Sequence, residues 1–239
     1  NVEIMYVVIQ NHSESPKALT SYAAVPLYGR SADNLRDHRH VTSLLHRIQT
    51  TENGIHVCPT MSFDERGHQR NHRIYYVSGC TGNGAAPVSF YPTVEDFLGE
   101  GGTYTHPRAV YEQYPGCPSF SSAAGKEAMG AFRFKDVTLA PGEKAEYIIL
   151  LGTENEEADI QNIYEKYNTS TKVLSELERT KEYWKNQVNV AFYTGNKDFD
   201  CLMKWISFQP FLRRLFGCSF LPHHDYGRGG RGWRDLWQD

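Results

Sequence analysis

The sequence predicts an α+β chain in which an antiparallel β-sandwich comes first and helices follow. Three observations carry this. Up to about Gly152 the apolar residues fall in short runs rich in Val, Ile, Tyr, Phe and Thr, the composition of strands. Turn signals separate those runs: Ser15-Pro16, Asn53-Gly54, Arg66-Gly67, Gly82-Asn83-Gly84 and Pro141-Gly142. From about Glu154 the apolar spacing changes to that of amphipathic helices. Strands first and helices after is an α+β order, and many short strands at such spacings suggest a sandwich.

In chain order, the strand runs are 2–11 (VEIMYVVIQN), 20–28, 40–50, 55–63, 72–79, 130–139 and 145–152. Within 130–139, Ala131, Arg133 and Lys135 alternate with Phe132, Phe134 and Val137. Asn53-Gly54, between HRIQT and IHV, is the sharpest hairpin signal. Glu156 to Tyr167 reads as a short helix. Thr171 to Val188 reads as a longer one, with Val173, Leu177, Trp184 and Val188 on its inner face. A third runs from Asp198 to Leu215, with Phe199, Leu202, Met203, Ile206 and Leu212 inside, and Pro210 is expected to kink or re-cap it.

With 239 residues, 40% hydrophobic and 13% aromatic, the chain can bury a sizeable core. A net charge of −3 and a pI near 6.4 argue against a nucleic-acid partner, which wants a basic face. No apolar run approaches the eighteen or so residues of a membrane span. The opening residues NVEIMYVVIQN read as a strand, not a leader, so the chain is expected to be part of a longer protein. Five widely spaced cysteines, with no CxxC, argue against a zinc site and suit reduced thiols in a cytoplasmic protein.

The last fourteen residues, YGRGGRGWRDLWQD, do not read as a core element. Arginine beside aspartate beside tryptophan suits a pocket for a neutral, hydroxyl-rich ligand. The guanidinium donates to paired oxygens, the carboxylate accepts from hydroxyls, and the indole offers a flat apolar face. Glycines let the backbone approach closely. The plainer reading is a Gly-rich turn with surface Arg–Asp pairs.

GxGWRDxxQD after an aromatic helix resembles the first loop of the catalytic barrel in glycoside hydrolase family 94, the disaccharide and oligosaccharide phosphorylases. FYPTVEDFLGEGGTYTHPRAV (Phe90 to Val110) is similar to the family stretch that follows a sandwich strand. APGEKAEYIILLG (Ala140 to Gly152) is similar to the strand that closes its sandwich. The resemblance implies a sandwich over 1–153 lacking its first strands, a helical linker over 154–195, and the beginning of an (α/α)6 barrel over 196–239. It implies inverting phosphorolysis of β-glucosides to a sugar 1-phosphate by the full-length protein, a cytoplasmic homodimer. Inorganic phosphate is the co-substrate, and no cofactor or metal is implied. The general acid is expected beyond Asp239, so no catalytic residue is assigned here.

By the same resemblance, Arg228 and Asp235 correspond to sugar-binding residues and Arg234 to a partner. Gln238 and Asp239 would brace the loop, and Trp233 would wall the pocket or pack. One departure is Cys218-Ser219, where family members often carry Arg-Ser, which bears on acceptor preference. The alternatives are a non-catalytic carbohydrate-binding sandwich and a phosphate-independent glucan transferase or hydrolase. Linkage, chain length, and glucose against N-acetylglucosamine stay open. Arg36 to His40 and Arg66 to Arg73 hold histidines at close spacings but read as solvated loops or strand ends. His223-His224-Asp225 could rim the pocket, and Glu95-Asp96 reads as a cap on the turn VEDFLG.

Overall fold

The computed structural model describes residues 2–29, 39–64 and 67–216. Its strands are β1 (Val2–Gln10), β2 (Lys17–Leu19), β3 (Tyr22–Leu27), β4 (His46–Thr50), β5 (Gly54–Pro59), β6 (Met61–Asp64) and β7 (Gly67–Arg70). They continue with β8 (Ile74–Thr81), β9 (Ser89–Thr93), β10 (Ser122–Ala124), β11 (Ala128–Arg133), β12 (Val137–Leu139) and β13 (Lys144–Glu154). Every described pairing between named strands is antiparallel. A six-stranded sheet runs β1-β13-β8-β5-β4-β10, and a three-stranded sheet runs β3-β11-β9. Two small pairs, β12-β2 and β6-β7, complete the set.

The two main sheets pack face to face. Phe132 and Phe134 from one side meet Ile48, Ile55, Val57, Val77, Tyr147 and Ile149 from the other. Close approach is bought with glycine at two points. A Cβ on Gly79 would strike the Phe132 ring, and one on Gly130 would lie 2.6 Å from Val77 Cγ2. Alternation along β13 explains why 147–151 is apolar without a break. Tyr147 and Ile149 face the sandwich interior, while Ile148 and Leu150 face the opposite side. There they meet helix α4 (Glu157–Tyr167) through Ile160, Tyr164 and Tyr167, and helix α5 (Ser170–Gln187) through Val173. A strand buried on both faces loses the polar half of its period.

The outer face of the three-stranded sheet is also covered. Met129 and Ala131 pack with Tyr91, Phe97, Leu98 and Ala109. The last three residues belong to helices α2 (Val94–Leu98) and α3 (Arg108–Tyr111). The expected alternation of Ala131 against Phe132 is therefore one between two buried faces, not between core and solvent.

Several expectations need correction. The run 40–50 is not one strand: helix α1 (Arg39–Leu44) precedes β4. The physical reason is that β4 pairs only as far as His46 opposite Pro59. Leu45 O still accepts from Thr60 N–H at 3.0 Å, but Leu45 N–H donates to Thr42 O at 3.1 Å, turning the chain back into α1. Among the described residues of the first 152, three short helices therefore lie between strands. Run 55–63 splits at Thr60 into β5 and β6, and run 130–139 splits into β11 and β12, which lie in different sheets.

By its contacts the chain gathers into two compact units, 1–175 and 176–239. In the second, α6 (Lys197–Phe216) runs through Pro210 instead of re-capping there. Trp184 of α5 packs edge-on against Phe208 of α6, ring centres 4.7 Å apart. The inner faces read from the sequence are only partly inside. Leu177, Phe199, Leu202 and Ile206 are each 45–52% exposed, and Leu212 has no described side chain. An apolar stripe shows which face needs a cover, but among the described residues of this unit only these two helices are present to cover each other. No described helix is long and apolar enough to cross a membrane.

Candidate functional site

The residues assigned to sugar binding by resemblance, Arg228, Trp233, Arg234, Asp235, Gln238 and Asp239, lie outside the described residues. So do Cys218-Ser219, His223-His224-Asp225, Arg36 to His38 and Arg66. Among the described residues no three His, Cys, Asp or Glu side chains gather in metal-binding geometry. Cys58, Cys80, Cys117 and Cys201 are unbridged. Glu95-Asp96 is structural. Thr93 is the N-cap of α2, its hydroxyl accepts from Asp96 N–H at 3.0 Å, and Asp96 accepts from Thr93 N–H at 3.2 Å. Glu95 accepts from Lys126 Nζ at 2.9 Å on the surface.

The stretch after β9 is braced by its own aromatics. The Tyr91 hydroxyl donates to Tyr114 O at 2.8 Å, and Arg108 lies 3.9 Å above the Tyr114 ring. His106 stacks on Tyr111, centres 3.6 Å apart.

A cleft where several polar groups converge lies between the β4–β5 hairpin and the first turns of α4, about 370 Å³ in volume. The hairpin is where Asn53-Gly54 placed it, but for a different reason. Thr51 N–H donates to Gly54 O at 2.8 Å, so the turn centres on Glu52-Asn53. Neither residue has positive φ, and neither has Gly54. Gly54 is required because a Cβ there would fall on the Val77 carbonyl of the neighbouring strand. The same approach lets Gly79 N–H reach Asn53 O at 2.7 Å.

His56, next along β5, is 5% exposed and sits edge-on to Tyr76, ring centres 6.4 Å apart. Its Nδ1 has no hydrogen-bond partner, and Glu157 Oε1 stands 4.0 Å away. Burial pushes its pKa down against the smaller upward pull of Glu157. The ring is therefore neutral at neutral pH, with an acceptor or donor unused. His46 is a contrast. Its Nε2 accepts from Gly29 N–H at 3.1 Å, which places the proton on Nδ1, donating to Lys126 O at 3.2 Å.

Thiols and phenols near the cleft stay protonated. Burial raises Cys58, pushes Cys80 up to about 11, and raises Tyr164 further still. None is a nucleophile near neutral pH.

At its rim stands Phe120, 80% exposed and in the left-handed region at φ 63°. For a bulky residue this conformation costs about 1–3 kcal/mol. Thr50 holds it there. Phe120 N–H donates to Thr50 O at 2.9 Å, Ser121 N–H to Thr50 Oγ1 at 2.8 Å, and Thr50 Oγ1 to Pro118 O at 3.0 Å. Sequence reasoning missed Phe120, and PSFSS carries no local sign of it. For His56 a sign existed, a histidine in a strand with buried residues on both sides.

Comparison with known proteins identifies a family. The model of the glycosyl hydrolase 94 supersandwich domain matches residues 1–170, from before β1 to the first residue of α5. No curated protein matches the chain. With 170 of its 239 residues matched, the chain belongs to the glycosyl hydrolase 94 family, and its antiparallel sheets are that family's supersandwich.

Proposed function

We propose that this chain is the N-terminal portion of an inverting β-glucoside phosphorylase. The observation that carries the reading is the terminal YGRGGRGWRDLWQD, which follows a domain of the right family in the order such enzymes use. In the proposed reaction a phosphate oxygen attacks the anomeric carbon as the glycosidic C–O bond breaks. A carboxylic acid outside these 239 residues protonates the departing oxygen. Phosphate is already a nucleophile, so no general base is required, and no cofactor. Residues 196–239 would open the (α/α)6 barrel. Arg228 and Asp235 would hold the glycosyl unit, because a sugar hydroxyl both donates and accepts and an Arg–Asp pair can engage both sides.

The test is made in the full-length enzyme. Arg228→Ala or Asp235→Ala leaves a charged pocket group without its ligand bond, costing on the order of 1.5–3 kcal/mol. We expect kcat/KM to fall roughly ten- to a hundredfold with the melting temperature unchanged. Activity within about threefold of wild type, or a loss that tracks a lowered melting temperature, would make the motif structural. The 239-residue chain alone is expected to show no phosphorolysis.

A further inference from the structure

The hairpin–α4 cleft shares no residue with the terminal motif, and its lining selects a ligand class. Glu52 and Glu157 border it while, among the described residues, no Lys or Arg does, so an anion such as phosphate is disfavoured. Asn53 and Gln161 bring amides that donate and accept together, as a hydroxyl does. A volume of about 370 Å³ falls in the range of small-molecule sites, roughly 300–1,000 Å³.

Two further features serve neither packing nor local geometry. His56 Nδ1 is buried without a hydrogen-bond partner on the side where Glu157 stands. Buried polar groups are ordinarily paired, so this atom lacks the one partner a bound hydroxyl would supply. Phe120 is both strained and exposed. A ring that buries only about a fifth of its surface gives little packing in return for an unfavourable backbone, and such strain collects at binding sites. A flat exposed ring beside amides and carboxylates fits the apolar face and hydroxyl edge of a pyranose.

We propose that this cleft binds a neutral oligosaccharide on the sandwich itself, with one sugar ring stacked on Phe120. Its hydroxyls engage Glu52, Asn53, Gln161 and Glu157, and one of them reaches His56 Nδ1. The proposal does not depend on the terminal motif's being a sugar site.

The test uses the 239-residue chain titrated with cellohexaose, laminarihexaose, a β-1,2-glucan hexamer and, as a cationic control, a glucosamine hexamer. Calorimetry and the NMR signals of the His56 ring are followed together. Saturable binding of at least one glucan, moving the His56 signals, is expected. Phe120→Gly should raise the melting temperature, because glycine relieves the left-handed strain, and weaken binding at least tenfold. Phe120→Trp should keep binding, Gln161→Ala should weaken it severalfold, and Asp235→Ala should leave it within twofold. Absence of glucan binding overturns the proposal. So does binding that is lost in Asp235→Ala and untouched in Phe120→Gly, which would place the sugar at the terminal motif alone. Binding confined to a glucosamine hexamer and abolished by salt would reassign the cleft to an ammonium ligand.

Discussion

The six-stranded sheet is buried on both faces, and the two faces are built differently. Towards the three-stranded sheet it meets Phe90, Phe132 and Phe134, and its buried phenol there, Tyr147, accepts from Ser21 Oγ at 2.9 Å, while Tyr75 packs at the edge of the cluster. Towards α4 and the start of α5 it presents Tyr76, Cys80 and His56 among aliphatics. On that side the Tyr76 hydroxyl and His56 Nδ1 find no partner. The first face interlocks aromatic rings and completes its hydrogen bonds, which is how a core specifies one fold. The second is sealed by a helix whose first turn stands off the hairpin. Polar atoms stay unpaired there, and a cleft remains. An unmade buried bond costs about 1–3 kcal/mol, so such a face persists only where stability elsewhere is ample.

The comparison breaks most directly at Phe132. Truncation to alanine removes a fully buried ring from the sandwich interior and should cost about 3–5 kcal/mol in denaturant unfolding. Gly79→Ala should also destabilise by driving a methyl into that ring, and Phe132→Leu in the same chain should recover part of the loss. A cost below about 1 kcal/mol for Phe132→Ala would mean the two sheets do not interlock as described.

Acid sharpens the comparison next, because each face holds a buried histidine. Burial lowers both His46 and His56 below the ordinary value of 6.5. Between each folded-state pKa and 6.5 the unfolded chain binds more protons than the folded one. Stability is therefore full above 6.5 and falls as pH drops below it, by up to about 1.4 kcal/mol per pH unit for each group. Melting temperature measured from pH 7.5 to 5 should decline in this window. A flat profile would show that neither ring is held neutral.

The smallest effect has the opposite sign. Tyr76→Phe deletes a buried hydroxyl that has no partner and leaves the ring in place, so unfolding free energy should stay level or rise by about 1 kcal/mol. A loss of that size would mean the hydroxyl is satisfied, and the contrast between the faces would shrink to packing alone.

Much of the sandwich was legible locally. The run 145–152 announced a strand by composition, Asn53-Gly54 announced a hairpin, and Glu95-Asp96 announced a cap. Helix positions 157–167 and 170–187 followed from apolar spacing. Other features were not local. Val41 and Thr42 favour a strand, yet the ladder stops opposite Pro59 and the chain coils instead. Leu177 and Phe199 carry a helix's apolar stripe without a described cover.

By itself the sequence determined most of the strands, the two helices that follow them and the family, because propensity, turn chemistry and motif spacing act within a few residues. Only the tertiary structure decided why Gly54 is a glycine, why Phe120 holds a left-handed backbone, and that His56 meets Glu157 across a cleft. Each depends on a neighbouring strand, a clamping threonine or a helix brought from far along the chain. Contacts of that kind are set by how buried faces close on one another, and no local spacing encodes them.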